Sequence, residues 1–230
     1  MRTKIVEART IGECWQKCIG AVIAEGDLFF DEDVKIKEIL GLTVSIDQPA
    51  LTDSFIARYG DSEVIRHTLQ KFSKGVVMTN RPFTYGERLY NKNGIDQIDW
   101  IINRVLAKRE TKSATINLLN EGENSNNLPC LTTIDVKIRQ ERLNLQFFFR
   151  SQNIVGRQYA NLLALSKLQA DIAFRLGVAI GRLQGYIASA HIYEYDFPFA
   201  QKIINKEDVM LRDEFYLHGP KSVRQNPNFR

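Results

Sequence analysis

The chain has 230 residues, of which 44% are hydrophobic and 25% are charged. This composition is typical of a globular protein with one substantial core, and it excludes a disordered chain. No apolar run approaches the roughly 20 residues of a membrane-spanning helix, so no membrane partner is expected. The net charge of +4 is mild, and the basic residues are spread among 27 acidic ones. Such a balance is typical of a solvated mixed-charge surface and is weak evidence for nucleic-acid binding, although a modest positive field would also favour a small anionic substrate such as a nucleotide.

The three cysteines are expected to be free thiols. The N-terminus, MRTKIVEART, lacks the apolar stretch of a secretory signal, which predicts a cytoplasmic protein in a reducing compartment. Cys14 and Cys18 lie four residues apart without a second ligand pair nearby, and we interpret them as core residues rather than metal ligands. The histidines also lack ligand spacing, so no metal site is predicted.

Apolar residues at helical intervals predict three helices in the first half of the chain. They cover residues 11–25, about 61–73 and 95–108. The first ends at Gly26, and Asp61 or Ser62 can cap the second. The third has an apolar stripe formed by Ile95, Ile98, Ile101, Ile102, Val105 and Leu106. Between the first two helices, residues 41–49 alternate and end at a proline, which predicts an edge strand.

Residues 131–139 and 142–150 predict a hairpin, because each segment alternates between apolar and polar side chains. A turn at Gln140 and Glu141 sets apolar against apolar in every pair. The predicted pairs are Ile138 with Leu143, Val136 with Leu145, and Ile134 with Phe147.

The same register, counted outward, places Cys130 opposite Ser151 and Leu131 opposite Arg150. A thiol, a guanidinium and a hydroxyl thereby become neighbours. A nearby cation favours the thiolate, which is the nucleophilic form of cysteine. The alternative is a cysteine that only closes the core at the end of a strand.

The last predicted elements are a helix over Tyr159–Leu176 that ends at Gly177 and a strand over residues 185–196. Alternation along this strand puts His191 and Tyr193 on one face. Three glycines are interpreted as turn residues, namely Gly177, Gly181 and Gly185. Helices and mostly antiparallel strands without regular alternation indicate one α+β domain over residues 1–230.

Five separately spaced motifs resemble those of the thymidylate synthase family, especially its short archaeal-type members and their pyrimidine nucleotide hydroxymethylase relatives. They are PFTYGERLY at 82–90, LPC at 128–130, RS at 150–151, Asn161, and HIY at 191–193. The resemblance implies a mostly antiparallel mixed sheet flanked by helices, and a homodimer packed through its sheets. It also implies a reduced folate, methylene-tetrahydrofolate or a related pterin, as cofactor.

The resemblance also implies a role for each motif. Cys130 would be the thiolate that adds to C6 of a uracil ring, and Asn161 would read the base. Arg150 and Ser151 would bind the phosphate while Arg150 keeps Cys130 ionised. The sugar hydroxyl would contact His191 and Tyr193, and water near C5 would be ordered by Tyr85.

Four positions depart from the family pattern. Lys112 and Ser113 replace the paired arginines that reach across the dimer to the phosphate, and an N-terminal arginine loop is not evident. Thr68 replaces the proton-relay glutamate, for which Glu63 or Glu87 could substitute. Asn153 replaces the aspartate that binds the pterin of the folate.

The leading hypothesis is a methyltransferase that transfers one carbon to C5 of a uracil nucleotide such as dUMP. Two alternatives stay open. One is a C5 hydroxymethylase or methylase of modified-nucleoside metabolism, and the other is a catalytically silent relative that binds a nucleotide. Deoxyribose or ribose, and folate or another pterin, are also open choices.

Overall fold

The computed structural model describes residues 3–78, 83–120, 122–123 and 128–208. The strands in this part of the chain are β1 Lys4–Ala8, β2 Asp27–Asp31, β3 Val34–Ile46, β4 Thr115–Asn117, β5 Leu131–Arg139, β6 Arg142–Asn153 and β7 Ala179–Tyr193. The helices are α1 Ile11–Glu25, α2 Ser54–Tyr59, α3 Ser62–Phe72, α4 Tyr85–Tyr90, α5 Gln97–Ala107, α6 Tyr159–Leu176 and α7 Phe197–Asn205. A π-helical turn, Ile154–Gln158, precedes α6, and a 3-10 turn, Glu194–Asp196, precedes α7.

The strands form one mixed sheet in the order β1-β3-β7-β6-β5-β4, with β2 also paired to β3. The pairs β1–β3 and β6–β7 are parallel, and the other four pairs are antiparallel. Helix α6 is the crossover that connects the parallel strands β6 and β7. This architecture confirms the expected α+β class with a mostly antiparallel mixed sheet. No helix within the described ranges has the length and apolar character to cross a membrane.

The predicted helices are confirmed with small changes at their ends. Asp61 caps α3 by accepting hydrogen bonds from the backbone N–H groups of Glu63 and Val64. Gly177 ends α6 in the left-handed region at φ 65°, where glycine is favoured. Ile95 and Leu106 are 56% and 65% exposed, so these two residues do not belong to the buried stripe of α5.

Two strand predictions are wrong in part. Residues 41–46 do not form an edge, because β1 pairs with them on one side and β7 on the other. The last strand spans Ala179–Tyr193, so Gly181 and Gly185 lie inside β7 rather than in turns. Side chains of β6 approach both positions closely. A Cβ atom at Gly181 would lie 2.7 Å from Asn144 Oδ1, and one at Gly185 would lie 2.2 Å from the Phe147 ring.

The β5–β6 hairpin keeps the predicted register from its turn to the pair Ile134–Phe147. A β-bulge then leaves Thr132 as an extra residue, so Leu131 pairs with Phe149 instead of Arg150. Arg150 moves opposite Cys130, and its backbone N–H donates to the Cys130 carbonyl at 2.9 Å. The predicted pairs Cys130–Ser151 and Leu131–Arg150 are therefore wrong by one residue.

Candidate active site

Three strand ends meet around Cys130. This half-buried cysteine directly precedes β5, beside the final residues of β6. The parallel pairing of β6 with β7 then sets Ser151 beside Ser189 and Asn153 beside His191. The topology thus brings the predicted site residues at positions 130, 150–153 and 191–193 to one end of the sheet.

Arg150 holds the main chain that leads into Cys130. Its Nε donates to the Pro129 carbonyl at 3.1 Å, and its Nη2 donates to the Leu128 carbonyl at 2.9 Å. With the backbone bond to Cys130, the arginine fixes three successive residues. The corrected register therefore gives Arg150 a structural contact to the Cys130 segment in addition to its charge.

Tyr85 approaches the same segment from the start of α4. A capping box formed by Thr84 and Glu87 begins this helix. The Tyr85 hydroxyl accepts a hydrogen bond from the Leu131 N–H at 3.3 Å. Burial, and next the negative charge of an ionised Cys130, raise the pKa of Tyr85 well above its usual value. Tyr85 is consequently a protonated hydroxyl beside Cys130.

Asn161 lies in the first turn of α6 and contacts β6. Its Nδ2 donates to Gln152 Oε1 at 3.2 Å, and Gln152 is 3% exposed. Asn153 Oδ1 accepts from the Gly156 N–H at 2.7 Å and so caps the π-helical turn. Asn153 stands where the resemblance implies a contact to the pterin, and its side-chain oxygen already has a partner within the protein.

His191 and Tyr193 share one face, as predicted, with ring centroids 5.2 Å apart. The Tyr193 hydroxyl donates to Asp31 Oδ2 at 2.6 Å, which brings the end of β2 to this site. Burial, followed by this bond, raises the pKa of Tyr193 well above its ordinary value. Asp31 was not predicted, although the acidic run at residues 31–33 in the sequence was a possible signal.

A second unpredicted carboxylate lies opposite His191. Glu38 pairs with His191 across β3 and β7, and the Ser189 hydroxyl donates to Glu38 Oε1. Ser189 Oγ also lies 3.4 Å from His191 Nδ1. Asp31 and Glu38 thus make the His191 end of the site acidic.

Burial lowers the pKa of His191 below its ordinary value of 6.5, although Asp31 and Glu38 oppose this shift. Between the folded-state pKa and pH 6.5, the unfolded chain therefore binds a proton at His191 that the folded chain excludes. The free energy of unfolding should be highest above pH 6.5 and fall towards the folded-state pKa, by at most about 1.4 kcal/mol per pH unit. Urea unfolding between pH 5 and about 8 measures this slope. A His191→Asn variant with the wild-type slope would contradict the assignment.

Lys112 lies away from the Cys130 end of the sheet. Lys112 is exposed, and it precedes Ala114, whose carbonyl accepts from the Val136 N–H at 3.0 Å. Val136 is six residues from Cys130, or about 20 Å along the strand, so one chain does not bring Lys112 to Cys130.

Neither proposed substitute for the relay acid is a free carboxylate. Glu63 is exposed and forms an ion pair with Arg66. Glu87 Oε2 accepts from the Thr84 N–H at 2.5 Å within the capping box. Thr68 itself is buried in α3. Within the described residues, no cluster of three or more His, Cys, Asp or Glu side chains could hold a metal ion.

The comparisons with known proteins identify the family of this chain. The sequence profile of the family described as thymidylate synthase matches residues 31–218. Proteins named "Putative thymidylate synthase" from Methanosarcina mazei and Methanococcoides burtonii are 31% and 30% identical to the chain. Each alignment covers 87% of this chain and 94% of the relative. A third protein with that name, from Methanothermobacter thermautotrophicus, is 29% identical, with 86% and 97% covered. The chain belongs to the thymidylate synthase family.

Proposed function

We propose that this protein methylates C5 of a uracil nucleotide such as dUMP, with methylene-tetrahydrofolate or a related pterin as the one-carbon donor. The observation that carries the proposal is the placement of Cys130, half-buried between the Arg150 backbone and the Tyr85 hydroxyl. The family supports transfer of one carbon to C5. The proposal treats residues 1–230 as one domain of a cytoplasmic enzyme, in keeping with its three free thiols.

The chemistry begins at the base. Addition of the Cys130 thiolate to C6 of uracil places negative charge on O4 and makes C5 nucleophilic. Asn161 would donate an amide N–H to O4 and accept the N3–H with its oxygen. Tyr85 would order the water that accepts the proton from C5.

The substrate's sugar and phosphate would lie along β6 and β7. Arg150 and Ser151 would bind the phosphate through charge-assisted hydrogen bonds. His191 would contact the sugar hydroxyl together with Tyr193, whose own proton is held by Asp31. The bound pterin would supply the carbon unit and the hydride, and Asn153 could donate its amide N–H to a pterin carbonyl.

The proposal includes a homodimer packed through the sheet. Phe148 and Tyr186 stack at 5.4 Å between ring centroids on neighbouring strands, and Phe148 is 37% exposed. A partner chain would cover these apolar side chains. Lys112 would then act on the phosphate of the partner's site, because one chain does not bring it to Cys130.

C5 hydroxymethylation is the second candidate. The observation that favours it is the buried Thr68 hydroxyl, which stands where the resemblance implies an acid for the later proton transfers. A product that keeps the hydroxyl is heavier by one oxygen atom than the methylated product. The mass of the product therefore separates the two reactions.

Release of tritium from C5-labelled dUMP or UMP with methylene-tetrahydrofolate tests the proposal. We expect one tritium released for each product formed, because substitution at C5 expels its hydrogen. Release must be lost when the pterin is omitted. Absence of release from every pyrimidine nucleotide, together with nucleotide-dependent thermal stabilisation, would instead indicate a silent binding protein.

A further inference from the structure

A buried glutamine connects the base-reading residue to the backbone of β6. Gln152 Nε2 donates to the Asn153 carbonyl at 3.3 Å, and Gln152 Oε1 accepts from Asn161 Nδ2 at 3.2 Å. Gln152 is 3% exposed, so water does not compete freely for these bonds. The two amides and the carbonyl form a short chain of hydrogen bonds with a fixed direction.

The direction of this chain of hydrogen bonds follows from the Asn153 carbonyl at its end. A backbone carbonyl only accepts, which requires the nitrogen of the Gln152 amide to face Asn153 and its oxygen to face Asn161. Asn161 must then turn its own nitrogen towards Gln152. No hydrogen bond within the described ranges uses its Oδ1 or its second N–H, which can therefore bind a ligand.

This orientation suits one pyrimidine and not the other. Uracil presents a donor at N3 and an acceptor at O4, which match an amide oxygen and an amide N–H. Cytosine presents an acceptor at N3 and a donor at its amino group, so it needs the opposite amide orientation. We infer that Gln152 is a positioning residue that selects uracil over cytosine by fixing the side-chain amide of Asn161, an inference that rests on the proposed function.

If the side-chain amide of Asn161 were flipped, its contact with Gln152 would be unfavourable. Its Oδ1 would face Gln152 Oε1, two acceptors in a buried position. If Gln152 turned as well, its oxygen would face the Asn153 carbonyl. Either arrangement loses a hydrogen bond and leaves buried polar atoms unpaired, which penalises cytosine even though the ring would fit the same space.

Equilibrium binding of dUMP and dCMP to the full chain, by calorimetry without a pterin, tests this inference. Wild type should prefer dUMP. Gln152→Met removes the acceptor that orients Asn161, and the dUMP preference should fall about tenfold or more. Gln152→Glu keeps an acceptor towards Asn161 and, in its protonated form, an O–H donor towards the Asn153 carbonyl, so it should retain the preference. Gln158→Met is the matched control, because Gln158 is also buried but its side-chain amide has no hydrogen-bond partner among the described residues.

The outcomes separate this inference from the proposed function. An unchanged preference in Gln152→Met, or an equal loss in Gln152→Glu or Gln158→Met, would overturn the role of Gln152 while the proposed function stands. Failure of wild type to bind either nucleotide would overturn both.

If Gln152→Met does not fold, hydrogen exchange of the wild-type Asn161 side-chain amide replaces it. The resonance is assigned by its absence in Asn161→Asp. One Nδ2 proton should exchange more slowly than that of an exposed asparagine, and free exchange of both protons would contradict the inference.

Discussion

Replacement of Cys130 by alanine is expected to lower turnover by more than about 10³-fold, the loss typical of removing a nucleophile that forms a covalent intermediate. Addition to C6 needs a thiolate, and a methyl group cannot supply one. Cys130→Ser should lose nearly as much, because a serine hydroxyl is a weak nucleophile without a base beside it. Tritium release from C5 of the nucleotide measures the loss.

Binding of dUMP should survive the Cys130→Ala substitution. The contacts proposed for the base, sugar and phosphate come from Asn161, His191 and Arg150, none of which depends on the thiol for a hydrogen bond. The dissociation constant should therefore change by less than about tenfold. A variant that neither turns over nor binds would indicate that Cys130 supports the site structurally.

Cys18→Ala is the matched control. Cys18 is fully buried in α1, with its Sγ 4.0 Å from that of Cys14. The hydrogen bond to Cys18, followed by burial, raises the pKa of Cys14 well above its usual value, so that thiol stays protonated. Removal of the Cys18 thiol should lower stability and leave turnover per folded molecule unchanged. Loss of turnover in this variant would contradict the assignment of Cys130 as the nucleophile.

The hairpin shows how far the sequence specifies this site. Alternation and a two-residue turn are local, so the pairs from Ile138–Leu143 to Ile134–Phe147 could be predicted. The bulge at Thr132 could not. A threonine suits either face of a strand, and one extra residue leaves no signal until the facing strand is known. That single residue moves Arg150 from Leu131 to Cys130.

The sequence also did not predict the site residues that come from distant parts of the chain, for a related reason. Asp31 reaches Tyr193 across 162 positions, through a five-residue strand whose side chains are all exposed. Such a strand has no buried face to create a periodic pattern. Gln152 was missed because its partner Asn161 lies nine residues further on, beyond a π-helical turn that the sequence did not predict.

Replacement of Trp15 by alanine is expected to lower the free energy of unfolding by about 3–5 kcal/mol. The Trp15 side chain is fully buried, and its ring centroid lies 4.5 Å from that of Tyr159 and 6.1 Å from that of Phe55. Its Nε1–H donates to the Ile154 carbonyl at 2.8 Å. The substitution would leave a large cavity and remove the hydrogen bond to the Ile154 carbonyl. Urea unfolding followed by circular dichroism measures the change.

Trp15→Phe separates the two contributions, since it keeps an aromatic ring and removes the donor to Ile154. We expect a loss of about 1–3 kcal/mol, from the lost hydrogen bond and the smaller buried ring. Ile154 begins the π-helical turn that leads to Asn161, so loss of this bond should also weaken dUMP binding in molecules that remain folded. Unchanged dUMP affinity in folded Trp15→Phe would show that the turn is held by its packing alone. A loss as large as that of Trp15→Ala would mean that the hydrogen bond, rather than the buried ring, secures the start of α6.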